Sequence, residues 1–150
     1  MINIYQSSGK YNLPNGYTLE RDNAPLPSAL NHLFSRCNQF TYSKNKLLLA
    51  LERSFFILCI YQKKAGTLSG FIRATTDNGL NANLWNLAVE PGEDHSKLVS
   101  ILLNRSLLIL RREVPGSSIS VSAPLSTINA LKEQGFLIDP GGIRAMGLRL

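Results

Sequence analysis

Residues 69–114 read SGFIRATTDNGLNANLWNLAVEPGEDHSKLVSILLNRSLLILRREV. Two strand-like runs come first, with a polar break at Asp77-Asn78-Gly79 between them. A Pro-Gly-Glu-Asp loop follows, then a long apolar helix. A strand that runs through a loop into a helix N-terminus is suited to holding an anionic group, because unpaired N–H groups and the helix dipole both face it.

Upstream, Phe55 to Gln62 is rich in aromatic and β-branched residues and predicts a strand. Lys63-Lys64-Ala65-Gly66 reads as a hairpin turn, and Thr67 to Thr75 pairs back. Asn81 to Glu90 is the third strand of this meander, carrying Leu84, Trp85, Leu87 and Val89. Before the meander, Tyr17 to Arg21 alternates like a first strand, after an extended lead-in over residues 1–16. Pro25 and Pro27 open a helix in which Leu30, Leu33, Phe34 and Cys37 form a stripe at i, i+3, i+4 and i+7. A second short helix over Ser43 to Arg53, capped by Ser43, turns Leu47, Leu48 and Leu51 inward.

Downstream, the long helix begins near Asp94 to Ser96 and stops at Pro115-Gly116. It is apolar on nearly every side, which predicts cover on more than one face. Ser118 to Ser122 is a short strand, and Pro124 to Gln134 a last helix with Leu125, Ile128 and Leu131 on one face and Gly135 as its cap. Phe136 to Ile138 and Ile143 to Leu150 read as two final strands. The order predicts one α/β domain over residues 1–150, a mixed sheet with helices packed on it. The step from the third meander strand through the long helix to the next strand is a parallel crossover.

Composition narrows the classes of function. Of the 150 residues, 44% are hydrophobic and 17% charged, which is globular rather than disordered. The longest apolar run, Phe55 to Tyr61, is too short to span a bilayer, so no membrane partner is expected. The N-terminus lacks a basic segment followed by an apolar one, and a cytoplasmic location is the expectation. Cys37 and Cys59 read as buried reduced thiols, and their spacing to His32 and His95 suits no metal. The net charge of +6 suits an anionic partner, but the basic residues are scattered. Arg111-Arg112 is the one adjacent arginine pair, so nucleic acid is not the expected partner.

The residues also carry a resemblance. Gly70-Phe71-Ile72-Arg73-Ala74-Thr75-Thr76-Asp77, Asn81-Ala82 with Trp85, Ala123, Gly135-Phe136 and Asp139-Pro140-Gly141-Gly142-Ile143 with Met146 resemble the GNAT acetyltransferase superfamily, in the branch found in cyanobacteria and plastids. The resemblance runs from about Leu13 to the C-terminus. It implies a mostly antiparallel sheet with helices on both faces and a splayed pair of parallel strands. The implied activity is transfer of an acetyl group from acetyl-CoA to an amine of unspecified identity, in a protein or a small molecule. By the same resemblance, Leu87, Ala88 and Val89 bond the pantetheine arm in the gap facing Ser120 to Ser122. The backbone of His95, Ser96, Lys97, Leu98 and Val99 wraps the pyrophosphate. A homodimer is a further family-level expectation.

Three positions depart from the family pattern. His95, Lys97 and Val99 stand at its glycine places, with Glu90, Glu93 and Asp94 close by in sequence. Leu131 stands where many members have a tyrosine that protonates the leaving sulfur. Asn86 follows the tryptophan where relatives have aspartate. Two readings stay open: a transferase working by positioning and backbone polarisation, and a CoA-sensing or protein-interaction module on the same fold. No residue is assigned as catalytic. Glu90 reads as a proton relay or a solvated strand end, and Tyr42 and His32 as an acceptor cleft or packing and rim. Arg73 with Asp77 reads as a structural pair, Trp85 as core, and His95 as an exposed loop residue beyond its backbone role.

Overall fold

A computed structural model of the chain describes residues 9–142 and 146–149. Five strands form one sheet in the order β1-β2-β3-β4-β5: β1 Tyr17–Arg21, β2 Phe56–Gln62, β3 Leu68–Thr76, β4 Asn81–Val89 and β5 Ser118–Val121. The first four are antiparallel neighbours, and β5 lies parallel to β4. The crossover between β4 and β5 is α3, His95–Glu113.

Alternation along the strands separates two cores. Phe56, Leu58 and Ile60 of β2 and Ile72 and Ala74 of β3 face α3. Ile57, Cys59 and Phe71 face the opposite way, onto α1, Pro27–Arg36, and α2, Lys44–Glu52. The sheet is therefore the middle of three layers. Gly70 marks where α3 lies closest to it. A Cβ there would sit 3.2 Å from Leu102 Cδ1 and 3.3 Å from Ile60 Cβ, so the residue must be small. The apolar surround of α3 is used: Leu98, Val99, Ile101, Leu102, Leu103, Leu107 and Leu110 are all buried.

The alternation changes phase in β4. Ala82 and Leu84 face α3, and so do Leu87 and Val89. The odd step lies at Asn86, whose φ is +57°, and the β3–β4 register shifts between Phe71 and Arg73. This is a β-bulge. Asparagine reaches the left-handed region more easily than most residues.

Several expectations are corrected. Leu48 is exposed, because α2 presents only Leu47 and Leu51 to the core. Leu125 is exposed, because a 3-10 turn at Leu125–Thr127 precedes the short helix α4, Ile128–Glu133, and breaks the helical phase. Phe136 to Ile138 is not a strand; Leu137 and Ile138 point to solvent and pair with no sheet edge among the described residues. The strand expected over residues 143–150 lies partly outside the described residues, and 146–149 carry no regular structure. Asp77 does not pair with Arg73. Its Oδ1 accepts from the N–H groups of Gly79, Leu80 and Asn81 and closes the β3–β4 turn. Trp85 is half-buried rather than core, and its Nε1 donates to Thr75 Oγ1 at 2.8 Å. Cys37 is half-buried at the end of α1, whereas Cys59 is fully buried.

Candidate active site

The pairing of β4 with β5 stops early. It runs from Asn81↔Ser118 to Leu84↔Val121, and Ser122 N–H makes one last bond, 3.3 Å long, to the Leu84 carbonyl. Past the bulge the two strands part. Glu90 N–H donates to Ser69 on β3, so by alternation the main-chain groups of Leu87 and Val89 face the gap on the β5 side. The gap opens into a cleft of about 440 Å³, a size that suits a small-molecule ligand. Its walls are Leu87 and Val89, the end of α1 from Arg36 to Gln39, the loop of Pro91 and Gly92, and Ser126 with Thr127.

The edge of β4 here is already engaged. Gln39 Nε2 donates to the Leu87 carbonyl at 2.9 Å, and Cys37 Sγ donates to the Val89 carbonyl at 3.2 Å. Burial pushes the Cys37 thiol pKa up, so it is held as a protonated donor. Cys59, deeper in the sheet, is pushed up to about 12 by burial and is inert.

At the far end of the cleft stands the N-terminus of α3. The first turn of a helix has N–H groups with no intrahelical acceptor. His95 N–H reaches Gly92 O at 3.2 Å, while those of Ser96 and Lys97 have no place in the α3 ladder. The nearby carboxylates are largely committed. Glu90 accepts from Gln62 Nε2 at 2.8 Å and lies 3.6 Å from Arg36. Asp94 lies close to the Tyr17 hydroxyl, whose pKa is raised by burial and by the charges of Asp94 and Glu90. Only Glu93 projects freely into solvent, outside the cleft walls.

The residues expected from sequence therefore separate. Leu87, Val89, His95 and Ser96 line the cleft. Ala88 points to the other face and packs in the α1/α2 core. Lys97 is exposed beside the cleft. Leu98 and Val99 are buried against the sheet, so glycine at Val99 would hollow the core. His95 Nδ1 lies 3.1 Å from Glu90 O, which ties the loop to the strand end. Leu131 is buried and supplies no proton. His32 is exposed and not among the cleft residues, and Tyr42 lines a second pocket. Sequence reasoning missed Arg36, Cys37, Gln39, Gly92, Ser126 and Thr127. A signal existed for Gly92 alone, as the glycine of the strand–loop–helix stretch; its φ is +155°.

No family model matches the chain. Over 103 residues it is 33% identical to the uncharacterized N-acetyltransferase ycf52 of Pyropia yezoensis, an overlap of 67% of this chain and 59% of that protein. Over 134 residues it is 29% identical to serotonin N-acetyltransferase 2, chloroplastic, of Oryza sativa subsp. japonica, covering 87% of this chain and 66% of that protein. The chain thus spans less than two thirds of the length of these relatives. Among solved structures, SA2161 of meticillin-resistant Staphylococcus aureus superposes with a TM-score of 0.78 over 89% of this chain and 99% of its own, at 15% identity. The acetyltransferase SP0256 of Streptococcus pneumoniae, a GNAT family protein, gives 0.69 over 89% and 97%, at 16% identity. At such identities the structures speak for the fold alone.

Proposed function

From the membership of this chain in the GNAT acetyltransferase superfamily, beside its plastid-type N-acetyltransferases, we propose that it transfers an acetyl group from acetyl-CoA to an amine. The observation that carries this reading is the parting of β4 and β5 after Leu84↔Val121, which leaves a cleft along Leu87 and Val89 that ends at the first turn of α3.

The residues fit the cosubstrate at both ends. Main-chain groups of Leu87 and Val89 would hold the pantetheine amides, and the N–H groups of Ser96 and Lys97 the pyrophosphate, with the dipole of the 19-residue α3 behind them. Lys97 adds positive charge beside that end, and Arg36 offsets the Glu90 carboxylate. Acetyl-CoA supplies an acetyl group already activated as a thioester. The acceptor must arrive as a neutral amine; it forms a C–N bond, the C–S bond breaks, and the proton the amine loses balances the thiolate released. With Leu131 in the core and Glu133 paired with Lys10 at 3.0 Å, no α4 side chain among the described residues lines the cleft as an acid, and rate acceleration rests on positioning. No residue is assigned as catalytic. The compartment that goes with this reading is aqueous, the cytosol in the simplest case; no helix among the described residues is long and apolar enough to cross a membrane.

A second reading has its own support. Gln39 and Cys37 occupy the two carbonyls that a pantetheine arm would approach, and no α4 side chain among the described residues lines the cleft as a leaving-group acid. A module that binds CoA without turnover fits those facts. A thermal-shift titration with acetyl-CoA, followed by thiol-release assays across an amine panel, separates the readings. Stabilisation with thiol release supports the transferase; stabilisation alone supports the binding module. No stabilisation at millimolar acetyl-CoA removes both.

A further inference from the structure

A second pocket, of about 130 Å³, lies under α1 and α2, on the face of the sheet away from the body of α3. It meets the cleft at the bulge: Leu87 lines one and the adjacent Asn86 the other. The connection between α1 and α2 does the same, giving Gln39 to the cleft and Tyr42 to the pocket. A group seated in the pocket is thus placed across β4 from a group lying along the cleft.

The wall is apolar, formed by Leu30, Phe34 and Phe71 among others. Into it projects the half-buried guanidinium of Arg73. Its Nε donates to Asn86 Oδ1 at 2.8 Å, and Asn86 is neutral. Among the described residues no carboxylate forms an ion pair with Arg73. Burial lowers its pKa, and Tyr42 is the one titratable group acting on it in return. Lys46 is the other charged residue of the lining, and it is also a cation. A half-buried guanidinium without a counter-charge is costly, and a ligand carboxylate would lower that cost. With Nε committed to Asn86, the end-on edge of the fork remains, a geometry that matches a carboxylate.

We propose that this pocket binds the carboxylate of a small amine acceptor, with Arg73 as its anchor and Asn86 as the neutral residue that leaves Arg73 free to serve. This identity of the acceptor rests on the transferase reading. The pocket itself can be tested without acetyl-CoA.

The probes are butyrate, n-butylamine and inorganic phosphate, titrated into the full chain while the Arg73 Nε–H and Asn86 side-chain amide resonances are followed by NMR. Butyrate is expected to shift both signals saturably, and n-butylamine to leave them in place. Asn86→Asp puts a carboxylate beside Arg73; aspartate also tolerates a positive φ, so the fold is kept. This variant should keep the wild-type melting temperature or exceed it, and bind butyrate at least about tenfold more weakly. Arg73→Gln should lose butyrate binding as well. The proposal is overturned if butyrate at about 50 mM, which corresponds to under 2 kcal/mol of binding, moves neither resonance. It is also overturned if Asn86→Asp binds butyrate as wild type does, or if phosphate binds more tightly than butyrate. Acetyl-CoA titrated into the same samples reports separately on the cleft, so loss of one reading is not mistaken for loss of the other.

Discussion

Replacing Gln39 by alanine should move stability and ligand affinity in opposite directions. Its side-chain amide donates to the Leu87 carbonyl at 2.9 Å across the mouth of the splay. A neutral hydrogen bond of this kind contributes about 1 kcal/mol net to folding. The carbonyl left behind lines the cleft, where water can enter the space vacated by the amide and bond it, so no larger desolvation penalty is added. For a chain of 150 residues the loss corresponds to a fall in Tm of about 3 °C. In the wild-type protein, however, a pantetheine amide that takes the Leu87 carbonyl must first displace Gln39. Removing that competitor returns up to about 1 kcal/mol to binding, or roughly a fivefold lower Kd. Calorimetric titration with CoA, paired with thermal melts of the apo proteins, reads both quantities. An unchanged Kd would mean that the arm does not reach Leu87. A Kd that rises several-fold would mean that Gln39 holds the ligand rather than the empty strand. Either result refutes the reasoning.

Three further outcomes test the scaffold. Ser106 is fully buried in α3, and its Oγ has no partner among the described residues; Ser106→Ala should stabilise the protein by about 1 kcal/mol in urea unfolding, through relief of desolvation and better helix propensity. Arg21 holds Glu113 through two 2.8 Å bonds, which join β1 to the end of α3 and push the Glu113 pKa down to about 2. A depressed carboxylate stabilises fully above its ordinary pKa of 4.5, and loses that contribution as pH falls toward 2. Glu113→Gln should therefore cost up to about 1 kcal/mol at pH 7, since the pair is partly exposed, and nothing once the wild-type carboxylate is protonated. Gly70→Ala brings a Cβ within 3.3 Å of the strand atom Ile60 Cβ as well as the mobile tip of Leu102, and should lower stability by about 1 to 2 kcal/mol.

The meander and the long helix were legible because their signals are local. Turn residues bracket each strand, and the burial of Leu102 and Leu107 follows from the unbroken apolar character of α3. The bulge was not legible. Both parities of NANLWNLAV carry apolar residues, so the pattern cannot show where Asn86 takes a positive φ and reverses the phase. The end of the chain misled for a related reason. Phe136 to Ile138 looks like a strand, but a strand needs a partner edge, and sequence periodicity does not supply one. The cleft was only half readable. Leu87, Val89 and the helix start lie within one continuous stretch, whereas Cys37 and Gln39 arrive from about 50 residues away. Their role depends on how α1 ends against β4, and no local rule encodes that. Arg73 shows the same limit: Asp77 is closer in sequence, but the bulge brings Asn86 to it instead.

The most direct test of the central claim is hydrogen–deuterium exchange resolved to single amides, with and without acetyl-CoA. On the proposed reading the splayed edge of β4 and the start of α3 bind acetyl-CoA as one surface, so exchange should slow together at Leu87, Val89, Ser96 and Lys97 when acetyl-CoA is present. Stabilisation by acetyl-CoA with those four amides unprotected, or protection confined to another face of the sheet, would contradict it.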